Sequence, residues 1–272
     1  INEHLELNTK DVSAKYNGEV HVAGTATVTG DDVANVKIEY QKADGSWTTS
    51  PSEITATNVS DSKTVNVRVT SEKYTGELTG TEKLTITKRE VTLTSEKASK
   101  AYDGKPLTKP EVTVGGDGFV DGEVKDLQAT GTIINVGSVA NPITFTKLEN
   151  FKDGNYEIQK HEGTLTITKA GKLGLTVEGA ERKYNGEPLS AAKVETSETE
   201  GTTISYSIDD GSTWTAEAPS ITNAGTLEVT VKAENPNYKT ATAKYTLTIT
   251  KREVTLTSEK ASKAYDGKPL TK

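Results

Sequence analysis

The sequence predicts an all-β chain of tandem Ig-like antiparallel β-sandwich modules in an elongated rod. Three observations carry that prediction. Apolar residues alternate with polar ones at period two in many short segments, and turn signals fall at regular intervals between them. The same landmarks also return about every eighty residues.

Composition favours small modules over one large globule. Hydrophobic residues make up 32% of the 272 residues and aromatic residues 6%, and mean hydropathy is −0.57. Several thin two-layer cores suit that apolar stock better than one thick interior. Thr and Val are frequent, and their branched Cβ atoms pack well on a pleated surface. The chain has no Cys, which excludes disulfides, thiolate metal sites and a Cys nucleophile. It has no Met and begins at Ile1, so it reads as an internal or processed segment, and its lack of a signal peptide or anchor says nothing of a parent protein. No apolar run approaches the roughly eighteen residues a bilayer crossing needs, so no membrane insertion is expected in this segment. The net charge of −7, with Lys and Glu interspersed, opposes phosphate backbones and argues against nucleic-acid partners.

The repeats set the boundaries. Residues 251–272 match residues 88–109 letter for letter. A Tyr-Asn/Asp-Gly triplet recurs at Tyr16, Tyr102, Tyr184 and Tyr265, and a Leu-Thr-Ile-Thr-Lys string recurs at Leu84, Leu165 and Leu247. Tyr74, Tyr156 and Tyr238 form a third series. These landmarks divide the chain into an A-type module at 1–87, a B-type module at 88–169, an A-type module at 170–250, and the opening strand of a truncated B-type module at 251–272. The A-type modules share a Trp after an Asp-Gly-Ser turn (Trp47 and Trp214), and the B-type module holds all three Phe residues. The first module departs most from the pattern: Asp31–Asn35 has no counterpart, and Ser60 stands where the third module has the turn residue Gly225.

Strands follow from the alternation. Leu5 and Leu7, Val91 and Leu93, Leu173 and Leu175, and Val254 and Leu256 read as first strands. The pairs Leu84 and Ile86, Leu165 and Ile167, and Leu247 and Ile249 read as last strands. Interior strands are expected at Val36–Tyr40, Val65–Val69, Ile143–Phe145, Ile204–Tyr206 and Leu227–Val231, with turns at Asp44-Gly45, Asp103-Gly104, Asn185-Gly186 and Asp210-Gly211. Glu123–Thr130 has room for one helical turn. The rival fold is a β-grasp-like module, which needs a helix across the sheet that the sequence does not place. Between Ile86 and Val91, and between Ile249 and Val254, there is no Gly, Pro or Ser-rich stretch, so these joints read as stiff; Gly171 makes the middle one the place for a bend.

With those residues in place, the chain resembles a known family. KAYDGKPLT, Asn-Val-Gly, Gly154-Asn155-Tyr156 and GTLTITK are similar to the bacterial cell-surface Ig-like repeats with a Tyr-Asp-Gly (YDG/MBG-type) signature. The KYNGE starts and Asn235–Tyr238 of the A-type modules resemble related bacterial Ig-like repeats. The resemblance implies stalk repeats of an adhesin, extracellular on a bacterial surface of the Gram-positive cell-wall kind, with neighbouring repeats of the same chain as partners. It also raises an intramolecular Lys–Asn isopeptide staple, for which the sequence selects no pair.

Catalytic and ligand chemistry is sparse, and no enzyme or cofactor is expected. His4, His21 and His161 have no metal-ligand spacing and read as solvated surface groups. Asp117, Asp121 and Glu123 form the densest acidic loop and are the metal candidates. Their spacing fits no standard calcium loop, which favours a solvated turn. Trp47 and Trp214 are the candidates for stacking on a host glycan or mucin, against the reading that each covers an edge of a thin core. The repeated tyrosines suit core or corner packing, with a hydroxyl bonded to backbone. Segment 251–256, as an orphan strand, offers unpaired edges for self-association.

Overall fold

In the computed structural model every residue except Asn2 and Lys272 is described. Two compact units emerge: residues 1–100 with 106–166, and residues 101–105 with 167–272. Among the described residues there is no α-helix, only three-residue 3-10 turns such as Val33–Asn35 and Val59–Asp61, so the β-grasp alternative falls. No helix is long and apolar enough to cross a membrane.

In the first unit, Leu5–Asn8 pairs antiparallel with Thr27–Gly30. The chain then changes sheet, and Val12–Lys15 runs parallel to the end of the strand Glu77–Thr87. Beyond that strand lie Lys63–Ser71, Val36–Gln41 and Trp47–Thr48, each antiparallel to the one before. A first strand split between two sheets, with its second half parallel to the last strand, makes each A-type module an Ig-like sandwich. Val65, Val67 and Val69 alternate with outward residues and are buried, and Val65 and Val67 pack against Tyr40, Ala23, Ala26 and Ile54.

The B-type half of this unit places Arg89–Ser95 between Val112–Gly116, antiparallel, and Tyr156–His161, parallel. Val124–Ala129 pairs with Ile143–Lys147 through a bulge between Lys125 and Gln128, where Asp126 has φ 54°. The helical turn expected at Glu123–Thr130 is therefore a strand. Its Val124, Leu127 and Ala129 are satisfied on a sheet face, and ladder hydrogen bonds outweigh a weak local preference.

The second unit repeats the A-type plan. Leu175–Glu178 pairs antiparallel with Lys193–Thr196, and Ala180–Lys183 runs parallel to Leu247–Thr250. The strand Ala241–Thr250 continues to Gly225–Glu234 and then Thr203–Ser207. Val229, Val231, Tyr206, Tyr245 and Leu247 fill its core. Gly179 sits at the change of sheet, where a Cβ would come within 2.0 Å of the Thr246 carbonyl oxygen, so no larger residue fits. In the first unit a Cβ on Gly163 would likewise come within 2.1 Å of the Glu96 carbonyl oxygen.

Two expectations need correction. The opening strand at 251–256 does not form: residues 251–271 carry no strand, and Val254 and Leu256 are 73% and 91% exposed. The same letters at 89–95 form a strand because residues 112–116 and 156–161, later in that module, hold it from both sides. The ladder is supplied by its neighbours and is not intrinsic to the segment. Nor do the first two modules close separate cores at their joint. One buried cluster runs from Tyr16, Leu84 and Ile86 of the first into Val91, Leu93, Phe151 and Tyr156 of the second.

Candidate functional site at the first module junction

The Tyr-Asn/Asp-Gly triplet is a local device with a physical explanation. In each copy the Asn or Asp side chain accepts the backbone N–H two residues on: Glu19 to Asn17, Lys105 to Asp103, Glu187 to Asn185 and Lys268 to Asp266. This is an Asx turn, and the Gly takes the positive φ it needs, +82° at Gly18. The preceding Tyr is pinned by its own backbone. Tyr16 N–H donates 2.9 Å to Thr87 O, and Tyr184 N–H donates 2.9 Å to Thr250 O. The side chain is thereby aimed off the end of its module.

Tyr16 uses that aim. Its ring meets Tyr156 edge-on, with centroids 5.6 Å apart and planes at 81°. Both hydroxyls converge on one carboxylate: Tyr16 donates to Glu123 Oε1, and Tyr156 donates 2.6 Å to Glu123 Oε2. Tyr156 also accepts the Val120 N–H at 3.1 Å. Glu123 is 4% exposed and Tyr16 3%, so this is a buried, satisfied polar network rather than a surface contact. Burial, reinforced by the bond to Glu123, pushes the Tyr16 hydroxyl up to about 12; burial raises Tyr156 as well, again with Glu123 adding to it. Behind Tyr156, Phe151 stacks at 5.0 Å with rings 3° apart, and Phe119 and Phe145 complete an aromatic group that gathers every Phe of the chain.

Two further clamps flank the tyrosines. Arg89, the second residue of the B-type module, donates from Nε to Gly118 O (2.7 Å), from Nη2 to Asp117 O (2.5 Å) and from Nη1 to Tyr16 O (3.2 Å). A planar fork suits three such carbonyls, and Lys could not reproduce it. Asp117 accepts Lys15 Nζ at 2.7 Å and the Glu90 N–H at 3.0 Å, contacts that hold its carboxyl below the usual range. On the other side Asn155, fully buried, accepts the Val59 N–H and donates to Asn58 Oδ1, both at 2.9 Å. Asn58 is itself fixed by Asp61, whose carboxylate accepts its backbone and side-chain N–H groups. Beside the clamps lies an open groove of about 470 Å³, with Glu19, Asp121, Glu149 and Lys152 on its walls.

The acidic triad of the sequence is thus dispersed into three roles. Asp117 is engaged by Lys15, Glu123 is buried between two tyrosines, and Asp121 remains exposed at the groove. The solvated-turn reading fails for Glu123, because Gly-Phe-Val and the following Val draw that loop onto the aromatic cluster. Among the described residues no group of three or more His, Asp or Glu side chains is arranged to hold a metal. The tyrosines of this unit also take different roles. Tyr40 accepts the Ala26 N–H inside a core, as a corner tyrosine does, whereas Tyr16 and Tyr156 join modules. The signal for this was in the sequence: two tyrosine series, one shortly after the start of each module and one shortly before its end.

The tryptophans lie elsewhere. Trp47 rests beneath the Arg68 guanidinium, 4.2 Å from its ring centroid, and Arg68 pairs with Glu39 at 2.9 Å. Trp214 lies under Lys232 Nζ at 4.6 Å. Arg68 and Lys232 occupy the same place in their modules, next to Val67 and Val231, so each Trp has one ring face covered by a cation. Neither enters the buried clusters. His4 stacks on Tyr74 at 4.6 Å, His21 bonds Asn17 at 3.0 Å, and His161 is exposed. The buried asparagines commit their amide groups to hydrogen bonds: Asn141 donates to Glu96 O and Lys109 O, and Asn235 donates to Glu200 O and Thr202 Oγ1.

No protein-family model matches the chain, and no curated protein matches it in sequence. Among solved structures it is similar to Sidekick-1 immunoglobulin domains 1–5, at 14% identity over 92% of this chain and 59% of that one, with a TM-score of 0.35. It is also similar to the protocadherin gammaB7 EC3–6 cis-dimer structure, at 11% identity over 91% and 75%, with a TM-score of 0.37. For human CDH23 EC21–23 the figures are 13%, 88% and 97%, with a TM-score of 0.31. By its own strand pairing the chain belongs to the class of tandem Ig-like β-sandwich proteins.

Proposed function

We propose that the chain is a run of spacer repeats from a bacterial surface adhesin, extracellular and carried on a Gram-positive cell wall, which holds a distal binding region away from the cell. The observation that carries this reading is the Tyr16–Glu123–Tyr156 network with its Arg89 and Asn155 clamps. A buried junction fixed at three points resists bending, and resistance to bending is what a spacer requires. The Tyr-Asp-Gly resemblance supports the bacterial setting. Small-angle scattering of the 272-residue chain tests it. An elongated particle is expected, and a compact one refutes the spacer.

A second reading is self-association through residues 251–256, favoured by the exposure of the apolar side chains of Val254 and Leu256. Sedimentation of the chain with and without residues 251–272 decides it. An unchanged profile at high concentration ends this reading.

A further inference from the structure

Module three ends on the same groups that module one uses at its junction. Lys183, Tyr184 and Asn185 stand in the places of Lys15, Tyr16 and Asn17, with each Lys ending the short strand parallel to its module's last strand and the Tyr and Asn following it. Asn223 stands in the place of Asn58: the pairing of Leu189 with Ile221 repeats that of His21 with Ala56, and each Asn lies two residues beyond. The backbone around Tyr184 is already set, through its bond to Thr250 and the Asx turn at Asn185. What differs is cover. Tyr184 is 41% exposed, and Lys183 and Asn223 are exposed too, whereas Tyr16 is buried.

We infer that the face carrying Lys183, Tyr184 and Asn223 is a docking surface for a B-type module with the sequence of residues 88–169. Two observations specify the occupant. The 22 residues that follow this face are those that open module two, and they put Arg252 where Arg89 stands, ready to reach the Tyr184 carbonyl. A B-type module also brings the complementary set: the counterpart of Glu123 for the Tyr184 hydroxyl, of Asp117 for Lys183, and of Asn155 for Asn223. Tyrosine pairing is not confined to the first joint, since within the second unit Tyr102 meets Tyr238 edge-on at 5.6 Å and 75°. The inference rests on the spacer reading in taking the junction as the device that joins repeats, and it adds which kind of repeat this end accepts.

The experiment appends a second copy of residues 110–169 after Lys272, completing the B-type module that begins at 251. Nitration of tyrosines by tetranitromethane, read peptide by peptide by mass spectrometry, is compared with the 272-residue chain. Nitration of Tyr184 is expected to slow by about tenfold or more, toward the rate of Tyr16, as protected sites do when they open only transiently. Changing the appended copy of Glu123 to Gln should return part of that reactivity. An unchanged Tyr184 rate overturns the inference. So does an appended module that stays unfolded, because the identical sequence folds beside module one. Scattering of the shorter chain reports independently: an elongated particle with unprotected Tyr184 sinks the docking face alone, and a compact one with protected Tyr184 sinks the spacer alone.

Discussion

Tyr16→Phe tests the junction at its most economical point. The substitution keeps the ring, its edge-on contact with Tyr156 and nearly all of its buried area, and removes one oxygen. That oxygen is one of the two hydroxyl donors to Glu123, whose carboxylate is 4% exposed and has little water to turn to. A hydrogen bond to a charged group contributes about 1.5–3 kcal/mol, and the upper half of that range suits an acceptor left buried. The first unit should lose that amount. In a Trp214→Phe background, Trp47 alone reports unfolding by fluorescence. With a urea m-value of about 2 kcal/mol/M the midpoint should fall by about 1 M. The paired variant Glu123→Gln completes a double-mutant cycle, and the two changes should be non-additive by at least about 0.5–1 kcal/mol. A midpoint shift worth less than about 0.5 kcal/mol, or strict additivity, would show that the network contributes nothing to the junction.

Three further outcomes follow from the same geometry. Because Tyr16 sits near 12 in the folded chain against an ordinary value of 10.0, and Tyr156 is raised too, the folded state holds protons that the unfolded state has already released. First-unit stability should therefore be whole below pH 10 and decline between pH 10 and 12, less steeply in Tyr16→Phe; a wild-type profile flat through that window contradicts the assignment. Arg89→Lys removes a fork that donates to three carbonyls and should destabilise the first unit by about 1–3 kcal/mol, whereas Lys15→Met, which breaks only a partly exposed ion pair, should cost under about 1 kcal/mol. Equal urea midpoints for the two variants would contradict the clamp. Glu82 is buried with Oε1 lacking a partner, and burial raises its pKa, so its carboxylate form opposes folding above the ordinary carboxyl range. Glu82→Gln should stabilise the first unit more at pH 7 than at pH 4, because burial disfavours the charged carboxyl, and urea midpoints at the two pH values check it; a loss at pH 7 would show that the charge is used.

The strands were legible because alternation at period two states which face is buried, and Val65, Val67 and Val69 or Leu84 and Ile86 lie inward as that rule requires. Two local failures have a common cause. The letters of Glu123–Thr130 and of residues 251–256 state only a local preference, yet a strand exists only where another segment completes its ladder. The first has Ile143–Lys147 to do so, and among the described residues the second pairs with none. The junction was half legible. The tyrosine series marked the residues, but Glu123 in a loop with Asp117 and Asp121 resembled a solvated acidic turn. Only the three-dimensional approach of two tyrosines, 107 and 33 residues away in sequence, gives that carboxylate its partners. Charge spacing along a chain carries no information about such a meeting.

The parallel pairing of the first and last strands settles how a module would meet tension. A chain that enters beside the strand by which it leaves, both running the same way, has its two ends at opposite poles. Pulling those ends apart slides one strand along the other, so the cross-strand bonds are loaded together in shear instead of opening one after another like a zip. In the first module the residue pairs from Val12–Leu84 to Lys15–Thr87 share that load, and in the third those from Ala180–Leu247 to Lys183–Thr250 share it. The weakest arrangement for a tether, a hairpin pulled from its open end, is absent from both of these pairings.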